Sequence, residues 1–236
     1  MKIAISQPTF LPWQGYFALI DYVDEFVFLD NVQFVKRSWQ QRNYIKLDQS
    51  KHLVTVPVIS KNKFKQKIND VEIDYNNFVI SKFLKTVENA YKKTDYFLLY
   101  FDTFKEILNK KYKFLCELNV DIIITICKIL KIEKKFTKSS SIVAEKNLTN
   151  IDLLDMICKK NFSSSYFSTI GAAEYLKDIK ILPISKAKIK YFDYKNDKYN
   201  QLGTYFIPYL SIIDLLFNEG PNSLNILKKN FLITKI

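Results

Sequence analysis

Two short apolar runs separated by an amphipathic segment open the chain. Ile3–Ser6 and Glu25–Leu29 are largely apolar and unbroken, a pattern typical of strands buried on both faces of a parallel sheet. Between them, Tyr16–Val23 has apolar residues at three- and four-residue spacing, which predicts a short helix. A strand, a helix and a second strand form the unit from which parallel sheets are built. The chain is therefore predicted to have an α/β fold, with a mostly parallel Rossmann-like sheet flanked by helices.

The rest of the chain continues this alternation around a helical middle segment at approximately 76–132. Apolar periodicity predicts three consecutive helices there, at Phe78–Tyr91, Tyr96–Leu108 and Phe114–Leu130. Further strands are predicted at Leu53–Ile59, Val71–Ile73, Ser164–Ser168 and Ile189–Phe192. Further helices are predicted at Leu153–Cys158, Gly171–Leu176 and Ser211–Asn218. No repeat or linker divides the chain, so we predict one domain over residues 1–236 that carries a helical insertion or subdomain.

The net charge of +12 comes almost entirely from lysine. Arg37 and Arg42 are the only arginines, whereas proteins that read nucleic-acid bases favour the guanidinium fork. The lysines are spread along the chain, as a coding bias would produce. This lysine-dominated composition therefore argues against a nucleic-acid partner. The sequence leaves open whether the positive charge has a function. Two localised arginines fit an anionic small molecule or a nucleotide better.

The composition also bears on where the protein is located in the cell and on whether it binds a metal ion. No apolar run approaches the ~20 residues that span a bilayer, and the chain opens on strand-like residues without a signal-peptide pattern. Three cysteines are no disulfide framework, and His52 is the only histidine. We therefore predict a cytoplasmic protein without Cys–His catalysis or a tightly bound metal. The oligomeric state stays open, with a homodimer among the options.

The loop after the first predicted strand has the composition of a ligand pocket. Both tryptophans and both arginines of the chain lie within the first 46 residues. In Gln7–Tyr16, prolines including Pro8 fix the loop, and Gly15 allows close approach of a ligand. Trp13 and Tyr16 offer flat faces for a base or a sugar, and Gln7 offers a neutral donor and acceptor. The alternative is a tight turn whose aromatic side chains fill the core.

A second polar segment follows the second predicted strand. Asp30 lies at the end of that strand and could orient a hydroxyl, hold magnesium or act as a base. The candidate binding residues after it are Gln33, Lys36, Arg37, Ser38, Arg42 and Asn43. The alternative is a solvated basic loop. Because ligands bind beyond the carboxyl ends of parallel strands, we expect both segments to face one anionic ligand in one crevice.

Weaker candidates lie elsewhere in the chain. His52 precedes a predicted strand and is either solvated or the proton carrier of a reaction. Tyr199 and Gln201 are predicted to line the pocket from its far side. Asp214 lies on an apolar helix, where it is either a capping or buried hydrogen-bonding residue or a carboxylate of the pocket.

These motifs resemble the WbqC-like family along essentially the whole chain. The resemblance is carried by Gln7–Tyr16, Asp30–Asn43, Thr55–Val58, Tyr166–Ser168 with Gly171, Tyr199–Gln201 and Phe206–Gly220. It implies a role in bacterial O-antigen and surface-polysaccharide biosynthesis, with acyl or aminoacyl transfer to the amine of a nucleotide-linked sugar. The basic residues would then hold the diphosphate, and Asp30 or His52 would act as the base. The implied second substrate is an acyl or aminoacyl donor.

A remoter likeness joins the opening of the chain to pantothenate synthetases and related nucleotidylyltransferases. Those enzymes bind ATP phosphates with a His-x-Gly-His motif, and the matching positions here are Trp13-Gln14-Gly15-Tyr16. The loss of both histidines argues against adenylyl transfer, whereas the loop backbone and the helix N-terminus still suit an anionic nucleotide. An ATP-dependent, magnesium-requiring ligase or nucleotidyltransferase is therefore one alternative function. A non-catalytic nucleotide-sugar-binding or scaffold protein is another.

Overall fold

The computed structural model describes residues 1–145, 148–172, 176 and 179–234. Its strands are β1 (Lys2–Ser6), β2 (Glu25–Phe28), β3 (Arg42–Leu47), β4 (Ser50–Thr55), β5 (Lys135–Lys138), β6 (Ser165–Thr169), β7 (Lys188–Tyr194) and β8 (Phe231–Thr234). Its α-helices are α1 (Gln14–Tyr22), α2 (Ile80–Tyr91), α3 (Phe97–Asn109), α4 (Leu115–Ile129), α5 (Ser139–Ile142), α6 (Asn150–Lys160), α7 (Ile212–Glu219) and α8 (Ser223–Leu227). Short 3-10 helices lie at Ile68–Asp70, Ile170–Ala172 and Gly220–Asn222.

Six of the described strands form one sheet in the order β5-β2-β1-β6-β7-β8. All neighbours are parallel except β7 and β8, which pair antiparallel. The predicted α/β fold with a mostly parallel sheet is confirmed. The chain adds β2 on one side of β1 and later adds β6 on the other side. Strand order therefore reverses at β1, and in such sheets a crevice opens beyond the carboxyl ends of the strands at this point.

The sheet is covered on both faces, which explains the unbroken apolar runs of β1 and β2. Alternate residues of each strand point to opposite faces. Ala4 and Phe28 pack with the helical segment and α7, whereas Ile3 and Val27 pack with α6. The predicted helices of the middle segment correspond to α2, α3 and α4, with ends that differ by one or two residues. No helix among the described residues is long and apolar enough to cross a membrane.

A separate hairpin corrects one part of the strand prediction. β4 pairs antiparallel with β3 rather than joining the main sheet. Its tight turn places Asp48 and Gln49 at φ angles of 46° and 64°, as hairpins with two-residue turns require. The predicted strand Val71–Ile73 forms only isolated bridges, because its partners are single residues of other loops.

Two strands and one helix boundary also differ from the sequence prediction. β5 was not predicted, because it is short and polar; its exposed Lys135 pairs with the buried Glu25 of β2 at 3.0 Å. β8 follows the last helix at the sheet edge and was also not predicted. The predicted helix Gly171–Leu176 begins as a 3-10 turn, and residues 173–175 lie outside the described residues.

Candidate functional site

The two polar segments that follow β1 and β2 contact each other. The backbone N–H of Phe10 donates to the carbonyl of Trp39 at 2.9 Å, and Gln40 Nε2 donates to Gln7 Oε1 at 2.8 Å. The buried Asn119 of α4 joins both segments, since its Nδ2 donates to the carbonyls of Pro8 and Gln40. The carboxyl ends of neighbouring parallel strands thus bring the two segments together, as their positions in the sequence led us to expect.

Several of the predicted binding residues support these loops. Asn43 is buried, and its Nδ2 donates to the carbonyls of Phe10 at 3.3 Å and Leu11 at 2.8 Å. Ser38 Oγ donates to the carbonyl of Val35 at 2.6 Å. These contacts satisfy polar groups of a chain that turns sharply, with Leu11 at a φ of 44°. The ligand-binding roles of Asn43, Ser38 and Pro8 stay predictions.

Trp13, Gly15 and Tyr16 pack against the protein itself. The Trp13 ring contacts the rings of Tyr194 and Tyr209 at centroid distances of 5.6 Å. It also covers Gly15, where a Cβ atom would lie 2.3 Å from the Trp13 ring. Tyr16 is 6% exposed and donates its hydroxyl to the carbonyl of Gln7 at 3.0 Å. This arrangement corresponds to the alternative in which the aromatic side chains fill the core.

The first turn of α1 is covered as a consequence. Gln14 is fully buried, and the N–H of Ile212 donates to the carbonyl of Pro12 at 2.8 Å. Trp13 and Ser211 form a bridge across the same place. An anion at the start of α1 would need access to free backbone N–H groups. The segment that leads into α7 lies over this helix start instead.

Asp30 is buried at the carboxyl end of β2, where it holds the neighbouring strand end. Its carboxylate accepts hydrogen bonds from Ser139 Oγ at 3.0 Å, Ser140 Oγ at 2.6 Å and Ser140 N–H at 2.9 Å. His52 lies on the exposed side of the hairpin, beside a surface depression of about 250 Å³ that also includes Asn77 and Lys82. The catalytic roles of Asp30 and His52 stay predictions.

A crevice is present at the carboxyl ends of β1 and β2. A cavity of about 300 Å³ is lined by Gln7, Gln33 and Asn150 together with apolar side chains. Lys67 lines an adjoining cavity of about 460 Å³. Lys36 and Arg37 are exposed on the outer surface, and Arg42 is half-buried on β3. The crevice therefore brings together the predicted glutamines but does not have the predicted cations in its lining.

A second polar cluster surrounds Asp214 in the first turn of α7. Asp214 is fully buried, and its Oδ1 accepts a hydrogen bond from the Tyr91 hydroxyl at 3.0 Å. Its Oδ2 accepts from the Tyr199 hydroxyl at 2.5 Å and from Gln201 Nε2 at 2.9 Å. Three donors from two separate segments thus converge on one buried carboxylate. Tyr199 and Gln201, which were predicted to line the pocket from its far side, meet at this group. Their ligand-binding roles stay predictions.

Lys46 of β3 completes this cluster, which we call the Asp214 pocket: Lys46, Tyr91, Tyr199, Gln201 and Asp214. Lys46 is 5% exposed; its Nζ donates to Gln201 Oε1 at 3.4 Å and to the carbonyl of Tyr205. Its backbone N–H donates to the Tyr91 hydroxyl at 3.1 Å. Lys46, Tyr91 and Asp214 line a cavity of about 310 Å³, whose other polar residues are Asp48, Gln49, Asn89 and Lys93.

Burial controls the charges in the Asp214 pocket. Burial raises the pKa of Asp214 to about 6, against the lowering effect of its three hydrogen-bond donors and of Lys46. Burial lowers the pKa of Lys46, while Asp214 raises it. Burial and the Asp214 charge raise the pKa values of Tyr91 and Tyr199 well above 10.0. Asp214 is therefore mostly ionised at neutral pH and suited to accept a proton.

The surrounding segments fix the position of this carboxylate. Ser211 caps α7, accepting from the N–H of Ile213, and Asn218 Nδ2 donates to the carbonyl of Asp214 at 2.7 Å. The N–H of Leu202 donates to Asn218 Oδ1 at 2.9 Å, which holds the chain beside Gln201. The signal available in the sequence was a lone Asp on an apolar helix. Lys46 and Tyr91 were missed, because no motif joins them to Asp214.

Thiol chemistry is disfavoured by the positions of the three cysteines. Cys116, Cys127 and Cys158 are buried and free, and burial raises the pKa of each to about 12. A thiol with such a pKa stays protonated at neutral pH and is a poor nucleophile. Among the described residues, no group of three or more His, Cys, Asp or Glu side chains could hold a metal ion.

Comparison with known proteins places the chain in a family. The WbqC-like protein family matches residues 7–226. The chain is also 34% identical over 221 residues to "Uncharacterized protein Rv1507c" of Mycobacterium tuberculosis (strain ATCC 25618 / H37Rv), a match that covers 93% of this chain and 94% of that protein. No solved structure matches the chain. Tyr199–Gln201 and Phe206–Gly220, two segments that carry the resemblance, meet at Asp214. The protein belongs to the WbqC-like family.

Proposed function

We propose that the protein is a transferase of bacterial surface-polysaccharide biosynthesis, which moves an acyl or aminoacyl group onto the amine of a nucleotide-linked sugar. The observation that carries this proposal is the Asp214 pocket. It combines a buried carboxylate, a buried lysine and a cavity of about 310 Å³. Ionisable groups with perturbed pKa values beside a cavity are typical of catalytic sites. Membership of the WbqC-like family is the reason for choosing this class of substrate.

The proposal gives each group of the pocket a role in acyl transfer to an amine. The sugar amine attacks the carbonyl carbon of an activated acyl donor, a C–N bond forms, and the leaving group departs with the electrons of the broken bond. The proton released from the amine passes to the Asp214 carboxylate, which acts as a general base. The Lys46 ammonium group can stabilise the negative charge that develops on the carbonyl oxygen. Tyr91, Tyr199 and Gln201 hold the carboxylate in position.

Side chains on one face of β3 could bind the nucleotide part of a sugar nucleotide whose amine lies in this pocket. Alternate residues share one face of a strand, so Arg42, Tyr44 and Lys46 point to the same side. Arg42 lies about 13 Å from Lys46 along the strand, a reach suited to a sugar diphosphate. The Tyr44 ring contacts the Trp39 ring at 5.8 Å, and these rings offer a stacking surface for a base. We therefore propose that Arg42 contacts the diphosphate while the sugar amine approaches Asp214.

Asp214 is preferred over Asp30 as the base because of their surroundings. The Asp30 carboxylate accepts three hydrogen bonds from the start of α5 and lines none of the cavities described above. Asp214 is equally buried but lines a cavity. The covered start of α1 offers no support for the ATP-dependent alternative.

The test is a product assay with soluble substrates. The purified protein is incubated with UDP- or dTDP-linked amino sugars and with acyl or aminoacyl donors in thioester and adenylate form. We expect mass spectrometry to show a sugar nucleotide whose mass increases by the acyl group and whose free amine is lost. Binding of the sugar nucleotide without a mass change under any donor would indicate a non-catalytic binding protein. Pyrophosphate release that depends on ATP and magnesium would instead support the ligase alternative.

A further inference from the structure

A feature of the surface outside the Asp214 pocket is an exposed basic loop with one large apolar side chain in its middle. Lys61–Lys67 contains four lysines at alternate positions, and all four are exposed. Phe64 lies in the middle of this loop with 84% of its surface exposed. A large aromatic side chain costs free energy when it is left in water. Its position among four cations suggests a partner that is both apolar and anionic.

The segment after β2 extends this surface. The N–H of Phe34 donates to the carbonyl of Gln66 at 2.8 Å, and Gln33 Nε2 donates to the carbonyl of Phe64 at 2.9 Å. These bonds hold Val35–Arg37 beside the loop. Val35 is 56% exposed, and Lys36 and Arg37 are exposed next to it. We call Val35–Arg37 and Lys61–Lys67 together the basic apolar surface.

The cations of this surface are only weakly neutralised. Lys63 Nζ lies 4.0 Å from Glu72 Oε1, and both side chains are more than a third exposed, so this ion pair contributes little to stability. Among the described residues, no ion pair involves the remaining cations, which are Lys36, Arg37, Lys61, Lys65 and Lys67. The surface therefore presents a local positive field around two exposed apolar side chains.

We propose that the basic apolar surface docks on an anionic lipid bilayer. Phe64 and Val35 would enter the headgroup region, and the lysines would contact lipid phosphates. Interleaved lysines and apolar side chains on a projecting loop suit such an interface, whereas a nucleic acid is better recognised by arginine forks. This docking is independent of the proposed transferase reaction. It would bring the protein to a membrane surface without changing its chemistry on soluble substrates.

Vesicle flotation tests this proposal, using phosphatidylglycerol mixed with an equal amount of phosphatidylcholine. We expect the protein to bind these vesicles and to bind pure phosphatidylcholine at least about tenfold more weakly. The double variant Lys63→Gln with Lys65→Gln should bind the mixed vesicles about tenfold or more weakly than the wild type. Phe64→Ser should also weaken binding several-fold, because it removes the apolar side chain. All of these residues are exposed, so the variants should fold.

A charge-matched control separates this loop from the overall charge. Lys105→Gln with Lys159→Gln removes two exposed lysines of α3 and α6 and should leave vesicle binding within about twofold of the wild type. An equal loss in both double variants would overturn the proposal, as would equal binding to mixed and pure phosphatidylcholine vesicles. Binding of an RNA oligonucleotide that these loop variants abolish, without vesicle binding, would also overturn it. The transfer assay with soluble substrates should be unchanged in all loop variants.

Discussion

Replacing Asp214 with asparagine is expected to lower kcat for acyl transfer by about 100- to 10,000-fold, the range that general acid–base catalysis contributes. Asparagine keeps nearly the same shape and can still accept a hydrogen bond from Tyr91 or Tyr199. It cannot take the proton of the attacking amine. The loss should therefore fall on kcat, with a smaller change in KM.

The pH profile provides a readout that a merely structural role would not change. The wild-type rate should rise as pH increases through about 6, where Asp214 loses its proton. The Asp214→Asn variant should lack this limb. The matched control is Asp102→Asn on α3, an exposed carboxylate outside the pocket, which should keep wild-type kcat. Retention of more than about a tenth of wild-type kcat by a folded Asp214→Asn protein would contradict the assignment of Asp214 as the base.

The second large effect is on the pH dependence of stability. The pKa of Asp214 is raised from its ordinary value of 3.8 to about 6, so the folded state binds a proton more tightly than the unfolded chain. The stabilisation that the protonated Asp214 contributes to the folded state is therefore fully present below about pH 4 and is lost as pH rises through about 6. The difference between the two pKa values corresponds to a total contribution of about 3 kcal/mol to the free energy of unfolding. Asparagine at this position carries no such dependence.

Urea unfolding of both proteins at pH 4 and pH 7.5 measures this effect. The free energy of unfolding of the wild type minus that of Asp214→Asn should be about 2 kcal/mol lower at pH 7.5 than at pH 4, because the unfolded carboxyl is already partly ionised at pH 4. The groups that face Asp214 are Lys46, Tyr91, Tyr199 and Gln201. The pKa values of Tyr91 and Tyr199 lie well above this interval, and burial lowers the pKa of Lys46. A difference that is independent of pH would show that the Asp214 carboxyl has an ordinary pKa.

The four central strands of the main sheet, β2, β1, β6 and β7, are predictable because their signals are local. Ile3–Ile5 of β1 and Phe26–Phe28 of β2 are apolar without interruption, since both faces of the sheet are buried there, and α2 to α4 have clear helical periodicity. The hairpin was harder to predict. Arg42–Leu47 includes two cations and an asparagine, and its strand character depends on pairing with β4. β5 is a four-residue polar edge strand with no pattern of its own.

The candidate site was only partly predictable for a related reason. Tyr199 and Gln201 belong to a segment that carries the family resemblance, and Asp214 is a lone polar residue on an apolar helix. Their meeting point depends on how α7 packs. Lys46 and Tyr91 come from β3 and α2, and only the folded structure shows that they reach Asp214.

The same limitation applies to the loop after β1 and to the end of β2. The aromatic side chains there looked available for stacking, because Tyr194 and Tyr209, which Trp13 contacts, lie far along the chain. Asp30 likewise looked free because its partners, Ser139 and Ser140, are distant in sequence. Residue type and position predict that a polar group lies near a strand end. They do not predict which distant side chains satisfy it.

The most direct test of the Asp214 pocket is a crystal structure with a bound nucleotide-linked amino sugar. The proposed mechanism requires the sugar amine nitrogen to lie about 3 Å from an Asp214 carboxylate oxygen, with the diphosphate directed along β3 toward Arg42. A ligand bound instead in the crevice between Gln7 and Gln33, with its amine remote from Asp214, would contradict the central claim.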